Sequence, residues 1–125
     1  MEDLITEFMA QKRFAVVGAT DDPSKFGSQI FNNLRGRGYD VYPVNPRLKE
    51  LDGVKCYPSV TELPVKVDVV DFVVPPEVTE AVLEECRRIG LERIWLQPGS
   101  ESQAAIDYCN QNNMKVVHDV CVMTS

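Results

Sequence analysis

The chain has 125 residues, 44% of them apolar, 26% charged and 8% aromatic, and it carries a net charge of −6. That is the composition of one globular domain, large enough to bury a core without disulfide or metal staples, and it excludes collagenous and disordered classes. The acidic balance speaks against a nucleic-acid partner, and no apolar run approaches the ~20 residues of a membrane helix.

Neither a basic n-region nor an apolar h-region opens the chain, so a cytoplasmic location is expected. Residues 1–11 place Leu4, Ile5, Phe8 and Met9 at helical spacing. Phe14 to Val17 is a continuous apolar run ending at Gly18, which reads as a strand covered on both faces. A polar loop, Thr20 to Ser24, leads to a helix carrying Phe26, Ile30, Phe31 and Leu34 and stopped by Gly36 and Gly38. Tyr39 to Val44 is strand-like and closed by Pro46. The stretch Arg47 to Pro58 reads as irregular, and Ser59 with Glu62 has the form of a capping box for a short helix. Val67 to Val74 is the strongest strand signal. Pro75 and Pro76 end it and can open the next helix, which shows Val78, Val82, Cys86 and Ile89 on one face and ends at Gly90. Arg93 to Leu96 is another strand, Ser100 with Gln103 caps a helix running to about Asn113, and Met114 to Val117 is the last strand.

Strands alternating with helices imply one α/β domain over residues 1–125, with residues 1–11 an N-terminal helix. The expected architecture is a Rossmann-like, doubly wound domain with a mostly parallel five-stranded sheet and helices on both faces. The four cysteines, Cys56, Cys86, Cys109 and Cys121, contain no C-x-x-C pair, and the lone His118 has none at zinc-finger spacing, so no metal site is expected.

Ligands of such a sheet sit beyond the C-terminal strand ends, so the residues after each strand are the candidates. The first loop, Gly18-Ala19-Thr20 through Lys25-Phe26-Gly27, lacks G-x-G-x-x-G but keeps a glycine for close backbone approach, a helix N-terminus, hydroxyls and a cation. After the second strand, Asn45-Pro46-Arg47 with Lys49 stands where an NAD-binding domain has an acidic ribose ligand. A neutral Asn with two cations suits a phosphorylated ribose, a description that NADP also meets. Val74-Pro75-Pro76 gives a stiff apolar wall without backbone donors from the prolines, and Gln97-Pro98-Gly99 before Ser100 is an amide-rich turn.

Taken together, these loops resemble the CoA-binding domain family, the Rossmann-like module also found at the N-terminus of the succinyl-CoA synthetase alpha subunit. The resemblance runs over roughly residues 10–122 and rests on Val17 to Thr20, Lys25 to Gly27, Gly38 to Pro46, Val73 to Pro76 and Trp95 to Gly99. It implies coenzyme A as the cofactor. The nucleotide would lie across Gly18, Ala19, Thr20, Lys25, Phe26 and Gly27, and Asn45, Pro46, Arg47 and Lys49 would face the adenosine and its 3′-phosphate. Val74, Pro75 and Pro76 would flank the adenine or ribose, with Gln97, Pro98 and Gly99 near the pyrophosphate or pantetheine arm. The synthetase's second domain, which bears its phosphorylated histidine, has no counterpart here, and His118 is not that residue by position, so synthetase activity is not expected.

His118, Asp119 and Cys121 are adjacent in sequence but read as a surface histidine beside a core cysteine, and no catalytic constellation is recognised. The expected function is a small protein that binds coenzyme A or an acyl-CoA without catalysis, as a monomer or weak homodimer. The alternatives are an NADP(H)-binding reductase or redox-sensing domain, and a regulatory subunit with a vestigial pocket.

Overall fold

The structure is a computed structural model that describes residues Met1–Ser125. Five strands, β1 (Arg13–Val17), β2 (Asp40–Val44), β5 (Val69–Phe72), β6 (Arg93–Leu96) and β7 (Lys115–Val117), form one sheet in the order β2-β1-β5-β6-β7, parallel at every pairing. The chain steps outward from β1 to β2, then returns past β1 to β5 and continues the other way. The reversal of strand order therefore falls between β1 and β5, the place where doubly wound sheets bind their ligands.

Four helices cover the two faces. Helix α1 (Glu2–Met9) and α2 (Phe26–Gly36) pack Phe8, Ile30, Phe31 and Leu34 on one face with Val16, Val69 and Trp95. Helix α3 (Pro76–Arg88) and α4 (Gln103–Gln111) pack Leu83, Cys86, Ala105 and Cys109 on the other with Ala15, Val70 and Phe72. A strand covered twice has no solvent face to alternate toward, which is why Phe14 to Val17 and Val69 to Phe72 are buried without a break. The helices α2, α3 and α4 close alike, with the N–H groups of Tyr39, Leu91 and Met114 donating back to Leu34, Cys86 and Cys109. No helix is long and apolar enough to cross a membrane.

Four local expectations are corrected. The stretch read as irregular holds an antiparallel hairpin, β3 (Glu50–Leu51) with β4 (Val54–Lys55). Its Asp52-Gly53 corner takes φ of 48° and 78°, the double positive φ that a type I′ turn requires and that Asp-Gly favours. The box at Ser59 yields one 3-10 turn, Val60–Glu62, without a side-chain cap; Ser59 pairs with the Thr61 hydroxyl instead, and Leu63 is held extended before Pro64.

On α3 the buried positions are Thr79, Leu83 and Cys86, while Val78 and Ile89 are 39% and 40% exposed. Of the four apolar positions picked from the sequence, Cys86 is buried and Val82 packs against the core, while Val78 and Ile89 lie at the edge, where Ile89 borders Leu63 and Val65. Finally, α4 is capped by Ser102, whose Oγ accepts the Ala105 N–H at 3.0 Å, rather than by Ser100.

The strand signal over Val67 to Val74 contracts to Val69–Phe72, which frees Val73 and Val74 to form a loop at the sheet end. Three of the cysteines, Cys56, Cys86 and Cys109, are buried, and burial pushes the Cys86 and Cys109 thiols up to about 12. Cys121 is partly exposed. The native protein should therefore release one thiol quickly to an aromatic disulfide reagent and three more only on denaturation. Two or more fast thiols would contradict this packing.

Candidate functional site

At the reversal of strand order three backbone segments meet at van der Waals limits. The Gly18 N–H donates to Val44 O at 2.9 Å, which ties the first loop to the end of β2. Gly18 sits at φ +101°, and a Cβ there would lie 2.3 Å from Val73 O and 2.8 Å from Val74 Cγ1. Gly27, in the first turn of α2, is as tightly placed, since its Cβ would lie 2.1 Å from Gly18 O. Glycine at both positions lets the β1 loop, the β5 loop and the start of α2 approach as one unit.

Helix α2 starts open. Its N-cap, Lys25, is extended and gives no side-chain cap; Ser28 and Gln29 donate to Lys25 O, whereas the Phe26 and Gly27 amides have no protein acceptor. Unpaired amides at a helix start favour an anion. The preceding loop is ordered by its own side chains. Thr20 Oγ1 accepts from Asp22 N, and Asp22 Oδ1 accepts from both the amide and the hydroxyl of Ser24, at 3.0 and 2.7 Å. Those two bonds from Ser24 hold the Asp22 carboxyl below its usual range.

Asn45 acts as a bracket. Its Nδ2 donates to Ala19 O at 2.9 Å and its Oδ1 accepts from Arg47 N at 2.9 Å. A carboxylate could not donate to Ala19 O, which gives a physical reason for an amide where an acidic residue was the alternative. Pro46, Arg47 and Lys49 are exposed at the rim. Lys25, Arg47 and Lys49 enter no ion pair, leaving three uncommitted cations. Lys49 stands farther along the chain, where Cys56 N donates to its carbonyl at the start of the hairpin.

The two-proline wall joins the same unit. The Val74 N–H donates to Ser100 Oγ at 3.0 Å, Pro75 is the N-cap of α3, and Pro76 is its first residue. Pro98 and Gly99 are exposed beside this wall, but the Gly99 amide already donates to the Glu101 carboxylate at 3.0 Å. Gln97 departs from its expected role. It is fully buried, with its side chain spent on Asp71 and Val122 and its backbone on Phe72 and Ser100. It shapes the turn from beneath.

Direct contacts thus connect Gly18, Ala19, Gly27, Asn45 and Val74, with Thr20, Lys25, Phe26, Pro75 and Pro76 adjacent in chain. Pro98 and Gly99 connect through Ser100. Glu101 and the buried Asp71 escaped the sequence reading, although an aspartate inside Val-Val-Asp-Phe-Val-Val was a visible irregularity, and Ser100, read as a helix cap, instead accepts from Val74 N. His118 Nδ1 pairs with Asp119, and no hydrogen bond joins Cys121 Sγ to either. A groove of about 280 Å³, lined by Val60, Leu63, Pro64, Val65 and Ile89 among others, lies at the opposite end of the sheet, before β5 and β6. It shares no residue with the strand-end cluster.

The alpha subunit of ADP-forming acetate–CoA ligase II of Pyrococcus furiosus is 32% identical over 130 residues, covering 95% of this chain and 28% of that subunit. Two further curated ligases are spanned over only 12% of their lengths. The protein YneT of Bacillus subtilis is 30% identical, with 89% of this chain and 82% of YneT covered. A solved structure of a conserved hypothetical protein from Pyrococcus furiosus superposes with a TM-score of 0.88 at 40% identity, covering 90% of this chain and 97% of that one. A family model described as CoA binding domain matches residues 12–125. The chain belongs to the CoA-binding domain family.

Proposed function

We propose that this chain binds coenzyme A, free or as an acyl thioester, across the C-terminal ends of β1, β2 and β5, and performs no chemistry of its own. The observation that carries the reading is the mutual approach of Gly18, Gly27 and Val73 beneath the open start of α2. In this reading the Phe26 and Gly27 amides and Lys25 take the pyrophosphate. Asn45 presents the 47–49 segment, so that Arg47 and Lys49 meet the 3′-phosphate. Val74, Pro75 and Pro76 flank the adenosine, and the pantetheine arm leaves past Pro98 and Gly99. With the Gly99 amide satisfied by Glu101, the phosphates are assigned to α2 rather than to this turn. The absence of chemistry is inferred from the pairing of His118 with Asp119 rather than with the Cys121 thiol.

Thermal unfolding with coenzyme A, 3′-dephospho-CoA, NADP and NAD, each alone, tests it. A ligand that binds only the folded state at ~100 times its Kd adds about 2.7 kcal/mol, a shift of several degrees for a domain of this size. The expected result is a shift with coenzyme A that shrinks without the 3′-phosphate and on charge reversal of Arg47. A shift with NADP alone would transfer the site to a nicotinamide cofactor. No shift with any of the four would overturn the reading.

A further inference from the structure

Asp71 lies in the middle of the central strand β5, fully buried, in register with Val16 of β1 and Trp95 of β6. Its Oδ1 accepts from Gln97 Nε2 at 2.6 Å, and its Oδ2 is buried without a partner. From Gln97 the polar contacts run two ways. Its backbone oxygen accepts from Ser100 N at 2.8 Å, and Ser100 Oγ accepts from Val74 N, which ends at the two-proline wall. Its Oε1 accepts from Val122 N at 3.2 Å, which seats the C-terminal turn Val122–Thr124. That turn is otherwise held by Arg37, which donates to Val122 O and Ser125 O, and by the Trp95 indole N–H, which donates to Val120 O at 2.9 Å.

We propose that Asp71 is a positioning residue that works through Gln97 and Ser100: while its carboxyl is protonated, the wall at Val74–Pro76 and the C-terminal turn are both held closed, and loss of the proton loosens both. The proposal deepens the coenzyme A reading, on which it rests for its ligand, by making occupancy of that site depend on one buried proton.

The physical reason is the missing second donor. A carboxylate at this place has Gln97 alone to solvate it, and its strand neighbours are Val16 and Trp95, the latter's N–H already spent on Val120. An ionised oxygen so enclosed draws in water. Part of the cover on that face is a single 3-10 turn, tied to Gln97 through Val122 N. Burial pushes the Asp71 carboxyl up to about 8, against the bond from Gln97, so the change falls near physiological pH.

No charged neighbour shares in this. The charged and titratable groups of the surrounding elements are Glu2, Asp3 and Glu7 of α1, Arg13 of β1, Arg35 of α2 with Lys25 and Arg37 at its two caps, Arg93 of β6, Lys115 of β7, and His118, Asp119 and Cys121 of the C-terminal segment. They are turned outward or paired elsewhere, and none contributes to the state of Asp71.

Trp95 is the only tryptophan, so its emission reports the seating of the C-terminal turn without any ligand. The experiment follows that emission in the folded protein as pH rises and, separately, the Kd for coenzyme A at about pH 7 and about pH 9. It compares the wild type with Asp71→Asn, which imitates the neutral acid, and with Ser100→Ala, which removes the hydroxyl that accepts from Val74 N and so cuts the branch to the wall.

The wild type is expected to show an emission change centred near pH 8 and a several-fold weaker Kd at the higher pH. Asp71→Asn should lack both, and Ser100→Ala should keep the emission change while losing most of the pH effect on affinity. Should Asp71→Asn fail to fold, the wild type and Ser100→Ala still decide. A flat wild-type emission profile, or identical profiles in wild type and Asp71→Asn, would overturn the proposal even if coenzyme A binds. An intact emission change with no coenzyme A binding in any variant would remove the ligand reading and uphold the buried switch.

Discussion

Replacing Gly27 with alanine is expected to destabilise the protein by about 1–3 kcal/mol, toward the upper end, and to abolish ligand binding at the strand ends. The added methyl would stand 2.1 Å from Gly18 O, a backbone atom that no rotamer change can move. Relief requires α2 to slide or the β1 loop to rotate. The loop cannot rotate freely, because Gly18 is itself fixed between Val44 O and the Val73 carbonyl. The same helix supplies the control. Gly36, at its last turn, has nothing within 4 Å of an added Cβ, so Gly36→Ala should be neutral or stabilising by up to about 1 kcal/mol. Urea denaturation of the two variants, followed by coenzyme A titration, checks the contrast. Equal stabilities for Gly27→Ala and Gly36→Ala would mean that the close approach of loop and helix does not exist.

The contrast also marks what was legible in the sequence. That Gly18 ends a buried strand and that Gly27 opens a helix could be read from apolar runs and helical spacing, and the fold class followed from their alternation. That the two glycines press on one another could not, because the contact depends on the crossing of α2 over the sheet. Where a local rule alone decided the outcome, the sequence held the answer even when it was passed over: Asp52-Gly53 specifies its hairpin corner by backbone chirality.

Where two rules competed, tertiary context chose. Ser100 and Ser102 both qualify as a cap for α4, and the choice fell to Ser102 because the Ser100 hydroxyl is taken by Val74 N across the sheet end. On α3, Val78 and Ile89 fit a helical stripe as well as Thr79 and Leu83 do, and only the packing against β5 and α4 selects between them. Among the candidate site residues Pro46, Arg47, Lys49, Pro98 and Gly99 are open to solvent at the strand ends, as a ligand-facing role would need. Gln97 is buried instead, and its partner Asp71 is distant in sequence and close only through the β5–β6 pairing.

The stability of the ligand-free protein should fall as pH rises from about 4 to about 8 and level off above. The sign follows from proton counting. The Asp71 carboxyl has an ordinary pKa of 3.8 when exposed, and burial in the folded state raises it to about 8. Between those limits the native chain holds a proton that the unfolded chain has released, so raising the pH favours unfolding, by about 1.4 kcal/mol per pH unit where Asp71 alone governs. Glu7 and Asp22 act in the opposite sense and in another range. Bonds from Lys115 and Arg93 lower the first, and bonds from Ser24 lower the second, so their contributions are present above about pH 4.5 and fade below it.

Stability should therefore peak on the acid side of neutrality. In Asp71→Asn the amide oxygen still accepts from Gln97 and no group titrates, so its stability relative to the wild type should grow steadily from about pH 5 to about pH 8. Denaturation midpoints at four or so pH values across that range decide it. A wild type whose stability is flat or rises across the range, or a variant that falls in parallel with it, would mean that Asp71 reaches water in the folded state and is ionised there.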